Sequence, residues 1–102
     1  ITDQDFKTTI ENENNLVVVD FWAEWCGPCK MLTPVLEEVS SKLSNSVSIY
    51  KLNTDENIAS AQEYQITSIP CCIVFKDGQE VHRIVGHKNS DAFEQELNPF
   101  LN

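Results

Sequence analysis

An α/β domain built on one central sheet is what this chain predicts, and three observations carry that reading. Apolar runs of strand length alternate with amphipathic helical patterns. A Cys26-Gly27-Pro28-Cys29 turn joins the first apolar run to the longest helical one. An Asp77-Gly78 turn, a strong hairpin signal, pairs the last two strands as antiparallel neighbours. The element order is therefore α-β-α-β-α-β-β-α: parallel βαβ units, then a hairpin, then a closing helix.

Each element has its own signal. Thr2 with Asp5 three residues on reads as a capping box, so a first helix is expected from Asp3 to Asn12. The Asn/Glu-rich stretch from Glu11 to Asn15 is a loop. Leu16-Val17-Val18-Val19-Asp20-Phe21-Trp22 reads as a buried strand. After the Cys-Gly-Pro-Cys turn, Met31, Leu32, Val35, Leu36, Val39 and Leu43 recur on one face of a long helix. Pro34 falls inside it and is expected to bend it. Ser44-Asn45-Ser46 ends that helix, and Val47 to Asn53 is a second strand. Thr54 and Asp55 are candidate caps for a short helix through about Tyr64. Gln65 to Pro70 connects into a strand from Cys71 to Lys76, and Glu80 to Val85 is its hairpin partner. Gly86 suggests a bulge or a close backbone approach. Ser90 then caps a final helix with Phe93, Leu97 and Leu101 on one face. Pro99 is expected to kink or end it near Leu97, with Phe100 and Leu101 still reaching the core.

Bulk properties narrow the function classes. The 102 residues suffice for one compact domain, 1–102, with one core. Sixteen acidic residues against seven basic give a formal charge of −9, with no basic stripe. That argues against nucleic acid or an anionic membrane surface as partner. No apolar run approaches the roughly 20 residues needed to cross a bilayer. The four cysteines form two tight local pairs, Cys26/Cys29 and Cys71/Cys72, rather than staples between distant segments. A reducing compartment, the cytoplasm or another such as a stroma or matrix, fits that usage.

The chemistry centres on the first pair. Two cysteines two residues apart can close a small disulfide ring with little backbone movement. Gly27 gives the turn conformational freedom, and Pro28 fixes φ where a helix can begin. Cys26 sits just ahead of the helix, where unpaired N–H groups and the helix dipole favour a thiolate. It is the candidate attacking thiol, and Cys29, one step inside, the candidate resolving thiol. Zinc sites use the same spacing, but His82 and His87 are not placed as the second half of one. Asp20 is a carboxylate inside an apolar strand, a costly position unless it is paired or neutral. Lys51 interrupts the second strand in the same way, and the two charges can partner each other if the strands are neighbours. A buried Asp20 could exchange a proton with Cys29; a hydrated edge position is the blander alternative. Ile69-Pro70 enters a strand either as a trans strand-start proline or as a cis bond that presents the Ile69 backbone to an extended peptide.

Together these residues resemble the thioredoxin family along essentially the whole chain. The match runs through Val19-Asp20-Phe21-Trp22-Ala23-Glu24-Trp25-Cys26-Gly27-Pro28-Cys29-Lys30 and Pro34. It continues with Lys51-Leu52-Asn53, Ile69-Pro70, Phe75-Lys76-Asp77-Gly78 and Gly86. The resemblance implies the thioredoxin fold, a mixed sheet with helices on both faces in three α/β/α layers. It implies a protein disulfide reductase in which Cys26 attacks, Cys29 resolves, Asp20 with Lys51 relays the proton, and Pro70 is a cis-proline facing the dithiol. Trp25, Gly27, Pro28, Ile69, Pro70 and Gly86 would grip substrate polypeptides. No cofactor or metal is implied beyond the Cys26–Cys29 disulfide. Electrons would come from NADPH or ferredoxin through a thioredoxin reductase, and the protein would act as a monomer on disulfide-containing proteins.

Two further features depart from the family pattern. Only Ile1 stands where a first edge strand is usual, so either residues ahead of it supply that strand or the sheet lacks it. Cys71 and Cys72 follow Pro70, where Thr is common. They read either as small buried residues on alternating faces of a strand or as an extra thiol, Cys71, near the dithiol. That extra thiol could form an alternative disulfide or, with Cys26 and Cys29, ligate a metal. An oxidant or isomerase of the same fold is a further reading, which Pro28 disfavours, as is a redox-independent binding module.

Overall fold

Burial on both faces requires a strand to be apolar along its length, and the first strand meets that at every position except Asp20. The structure is a computed structural model describing residues 1–101. In it α1 spans Phe6–Asn12, β1 Leu16–Trp22, α2 Gly27–Lys42 and β2 Val47–Asn53. Next come α3 (Ile58–Glu63), β3 (Cys71–Lys76), β4 (Gln79–Val85) and α4 (Ser90–Leu97), closed by a 3-10 turn over Asn98–Phe100. The described residues form a four-stranded mixed sheet in the order β2-β1-β3-β4.

Only one of the expected βαβ connections is parallel. β1 pairs with β2 in parallel, whereas β3 runs antiparallel to both β1 and β4. Helix length decides this. α2 has 16 residues, about 24 Å of rise, and so carries the chain back past the roughly 23 Å of β1. α3 has six, about 9 Å, and cannot return it, so β3 sets out from the end where β2 stopped. β2 remains an edge among the described residues. The Ile1 backbone nitrogen donates to the Lys51 carbonyl oxygen of that edge at 2.8 Å.

The sheet separates two apolar layers. On one face Val18, Cys72, Val74 and Ile84 meet Leu32, Leu36 and Val39 of α2 and Phe93 and Leu97 of α4. On the other, Val17, Val19, Phe21, Cys71, Ile73 and Phe75 meet Phe6 and Ile10 of α1, with Tyr64 at the end of α3. Cys71 and Cys72 thus lie on alternating faces, both buried. Met31, expected on the core side of α2, is instead largely exposed beside the dithiol turn. α2 continues unbroken through Pro34, whose ring faces solvent.

Three helix starts differ from the sequence expectation. α1 begins at Phe6, because Thr2 and Asp5 close a separate turn in which Asp5 Oδ1 accepts the Thr2 N–H at 2.7 Å. α3 is not capped by Thr54 or Asp55. Asp3 caps it from the far end of the sequence, accepting from Ser60 N at 2.8 Å and Ala59 N at 3.3 Å. α4 is capped by Asn89, one residue before Ser90, through Ala92 N at 2.8 Å.

The C-terminal expectation holds. α4 stops at Leu97 ahead of Pro99, and Phe100 and Leu101 pack on the α2/α4 layer. The β3–β4 turn has Asp77 and Gly78 both at positive φ, 54° and 80°, as a type I′ hairpin needs. The bulge lies at Val74/Phe75 rather than at Gly86. Gly86 makes the close approach instead, at φ 84°, donating to the Pro70 carbonyl at 2.8 Å.

Phe93 is fully buried and anchors α4 to the sheet. Phe93→Ala is therefore expected to cost about 3–5 kcal/mol of unfolding free energy, read from the urea midpoint. A loss below about 1 kcal/mol would show that α4 is not held by this contact.

Candidate active site

The end of β1 and the start of α2 deliver the two sulfurs together. Cys26 is the N-cap residue of α2, with extended backbone, and its Sγ accepts the Cys29 N–H at 3.2 Å. Pro28 lies in the first helical turn, where no N–H is needed. Cys26 and Cys29 are joined as a disulfide with their Cα atoms 5.3 Å apart. Cys26 is 4% exposed and Cys29 1%, so the more accessible sulfur is the one outside the helix, though only its edge reaches solvent. Gly27 has ordinary helical backbone, and a Cβ added there would meet nothing within 4 Å. Its contribution is an uncovered approach to the sulfurs rather than the conformational freedom the sequence suggested.

A second segment faces the dithiol. The Ile69–Pro70 peptide is cis, and the Ile69 carbonyl oxygen lies 3.7 Å from Cys26 Sγ. Ile69 and Trp22 pack against the small cluster of Ala23, Cys26 and Cys29. Trp25 is 71% exposed, and with Thr54, Ala61, Ile66, Thr67 and Ile69 it borders a shallow apolar depression beside the sulfurs. Its indole Nε1 donates to Asp55 Oδ2 at 2.9 Å, which fixes the ring over that depression. The sequence offered Asp55 only as a helix cap, since nothing in a chain separation of 30 residues signals this contact.

Asp20 sits below, at zero exposure. Register pairs it with Lys51 of β2 and with Cys72 of β3. The hydrated-edge alternative is excluded, but the expected Asp20–Lys51 ion pair does not form. The Lys51 ammonium lies at the rim instead, donating to Thr33 Oγ1 at 3.3 Å and standing 4.6 Å over the Trp22 ring. It acts on Asp20 through space. The direct neighbour is Cys72, whose Sγ lies 3.8 Å from Asp20 Oδ1, while Oδ2 has no hydrogen-bond partner. Burial pushes the Asp20 carboxyl up to about 6, against the pull of the Lys51 charge and the Cys72 thiol. Burial likewise raises both remaining thiols, Cys72 strongly and Cys71 less so.

Cys71 does not join the site. It packs among Phe6, Phe21 and Ile73 on the opposite face of the sheet from Cys72. Among the described residues no three His, Cys, Asp or Glu side chains gather in a way that could hold a metal ion, and Cys71 is not grouped with Cys26 and Cys29. His82 is engaged elsewhere, 2.7 Å from Glu96.

A buried disulfide at a helix N-terminus, facing the Ile69 carbonyl ahead of a cis-proline and an exposed Trp, is equipped for thiol–disulfide exchange. A family model described as Thioredoxin matches residues 1–99. The chain belongs to the thioredoxin family. Curated thioredoxins share nearly its whole length. That of Mycobacterium tuberculosis is 48% identical over 97 residues, covering 95% of this chain and 84% of the relative. That of Staphylococcus aureus is 45% identical over 101 residues, covering 99% and 95%. A Bifunctional thioredoxin reductase/thioredoxin of Mycobacterium leprae is 47% identical over 97 residues, 95% of this chain and 21% of that longer protein. Membership carries thiol–disulfide oxidoreductase activity, a protein disulfide reductase working through the CxxC disulfide. No helix among the described residues is long and apolar enough to cross a membrane.

The raised Asp20 value has a stability consequence. The folded protein holds this proton more tightly than the unfolded chain, whose carboxyl titrates at the ordinary 3.8. Stability tied to Asp20 is therefore fully present below about pH 3.8 and lost as pH rises through about 6. Asp20→Asn is expected to be the more stable protein at pH 8, by about 3 kcal/mol. Denaturant unfolding across pH 3–8 should show the advantage vanish below pH 4. A difference that does not change with pH would mean that Asp20 is ionised when folded much as it is when unfolded.

Proposed function

We propose that this domain, residues 1–102, reduces protein disulfides in two exchange steps that use Cys26, Cys29 and Asp20. The observation that carries the assignment is the sulfur cap of α2: Cys26 Sγ takes up the Cys29 N–H at a helix N-terminus, where negative charge is stabilised. In the reduced protein the Cys26 thiolate attacks one sulfur of a substrate disulfide. The other substrate sulfur leaves as a thiolate and takes a proton from water. Cys29 then gives its proton to the Asp20 carboxylate and attacks Cys26 Sγ. The Cys26–Cys29 disulfide forms, the second substrate thiolate leaves, and Asp20 returns its proton to it through solvent. Two electrons and two protons have passed to the substrate.

The remaining roles follow the exposed surface. Trp25, Gly27, Pro28 and Ile69 form the rim over which an extended substrate segment would lie, with Pro70 and Gly86 joined behind it by their backbone bond. Lys51, held at the rim by Thr33 and Trp22, biases Asp20 toward the charged form. Re-reduction needs a partner that delivers two electrons. A thioredoxin reductase is supported by the fused reductase/thioredoxin relative; one drawing on NADPH or a ferredoxin-linked one would meet the same requirement. The protein itself requires no bound cofactor in this scheme. It would work as a monomer in the cytoplasm or another reducing compartment, where both Cys71 and Cys72 stay thiols.

Single-cysteine variants test the assignment with insulin as the disulfide substrate and dithiothreitol as the reductant. Cys26→Ser should lower turnover to the rate of dithiothreitol alone. Cys29→Ser, reduced and then freed of dithiothreitol before insulin is added, should instead accumulate one equivalent of mixed disulfide, mapped to Cys26 by mass spectrometry. Turnover surviving in Cys26→Ser, or a trapped bond at Cys71 or Cys72, would refute the roles.

A further inference from the structure

The family pattern leaves Cys72 without a task, yet it is the side chain in contact with the buried carboxylate. Asp20 and Cys72 are register partners on adjacent strands, both at zero exposure, with Cys72 Sγ 3.8 Å from Asp20 Oδ1. A carboxylate accepts and a thiol donates, so the proton on this contact belongs to sulfur. Asp20 Oδ2, equally buried, has no protein partner. The two oxygens are thereby made unequal, and only one of them is free to exchange a proton.

We propose that Cys72 is a positioning residue for the reductase reaction: its S–H donates to Asp20 Oδ1, holds the carboxyl in place and leaves Oδ2 as the oxygen that takes and returns the Cys29 proton. This rests on the reading of Asp20 as proton acceptor. Burial of the carboxyl works against its ionised form, and a donor on Oδ1 offsets part of that cost, as the Lys51 charge does from β2. The charged and titratable groups acting on Asp20 are therefore Lys51 from β2 and Cys72 from β3, with Cys71 behind the sheet; Cys26 and Cys29, from the α2 side, are tied in the disulfide and do not titrate. The neutral thiol is the form the role requires, and burial keeps Cys72 in it. A hydrocarbon of similar size would fill the same space without the donor.

The experiment titrates Asp20 in the disulfide form, where Cys26 and Cys29 cannot ionise, by the 13C shift of its labelled carboxyl. Cys72→Val should move the midpoint upward by at least about half a unit, a threefold change in the proton equilibrium. Cys72→Ser, which keeps a donor, should return it to the wild-type value or below. The rate at which mixed disulfide on Cys26 is resolved should follow, with its acid limb displaced upward by the same amount in Cys72→Val. The wild-type protein gives a reading that needs no folded variant: one S–H infrared band should shift as Asp20 titrates and stay fixed in Asp20→Asn. An unmoved Asp20 midpoint in Cys72→Val, or S–H bands blind to Asp20, would overturn the bond and the proposal. If the midpoint moves while the acid limb does not, and Asp20→Asn resolves at the normal rate at every pH, the bond exists but the catalytic role of both residues is refuted.

Discussion

The end of α2 must find an acceptor for its first N–H groups, and it finds a sulfur. A helix start leaves donors unpaired, and side-chain oxygens of Ser, Thr, Asp or Asn usually satisfy them. Here Cys26 does so through the Cys29 N–H. Much of the site depends on that substitution of sulfur for oxygen. It ties the reactive atom to a rigid 16-residue helix packed through Leu32, Leu36 and Val39 on the sheet. It also puts the positive end of a helix dipole against the sulfur that carries charge during exchange. β1 fixes where the cap can be, because its last residues lie beside β2 and β3 and end at the same edge as the Ile69–Pro70 turn.

A single polar intrusion accompanies this arrangement. Asp20 occupies a position that every neighbour would favour filling with an aliphatic side chain. The protein tolerates the burial with two partial compensations, a rim ammonium acting through space and a thiol in contact. Neither removes the cost, and the carboxyl stays poised between its charged and neutral forms near neutral pH. In the proposed mechanism a fully paired Asp20 would be a better core residue and a poorer proton acceptor. That role sets stability and chemistry against each other at one residue, and the surrounding layers of Val18, Val74, Phe93 and Leu97 supply the margin.

Much of this was legible in the sequence, for identifiable reasons. β1, β2 and β3 carry short apolar runs bounded by polar turns, and their ends fall where those runs end. The Asp77-Gly78 turn and the stop before Pro99 follow from backbone chemistry within a few residues. The site residues were legible because sulfur, proline and buried charge are conspicuous in such runs. What escaped depends on contacts between distant segments. Asp3 capping α3 spans 57 residues, and Asp55 fixing Trp25 spans 30. The antiparallel entry of β3 depends on how far α3 can carry the chain. In the sequence Cys71 stands either as a candidate extra thiol near the site or, with Cys72, as one of two small buried residues on alternating faces, and the second reading is the one found. The thiol on the dithiol's side of the sheet is not Cys71. Strand alternation makes it Cys72, because a one-residue step changes the face of the sheet.

In the proposed mechanism Cys26 and Cys29 form a reducing couple, and the other two thiols take no electrons. A redox titration of the purified protein in glutathione and dithiothreitol buffers, with all four cysteines mapped by mass spectrometry, tests it directly. One two-electron transition is expected at Cys26–Cys29, more reducing than the glutathione couple, with Cys71 and Cys72 remaining thiols throughout. A transition more oxidising than glutathione, or one that draws in Cys71 or Cys72, would contradict it.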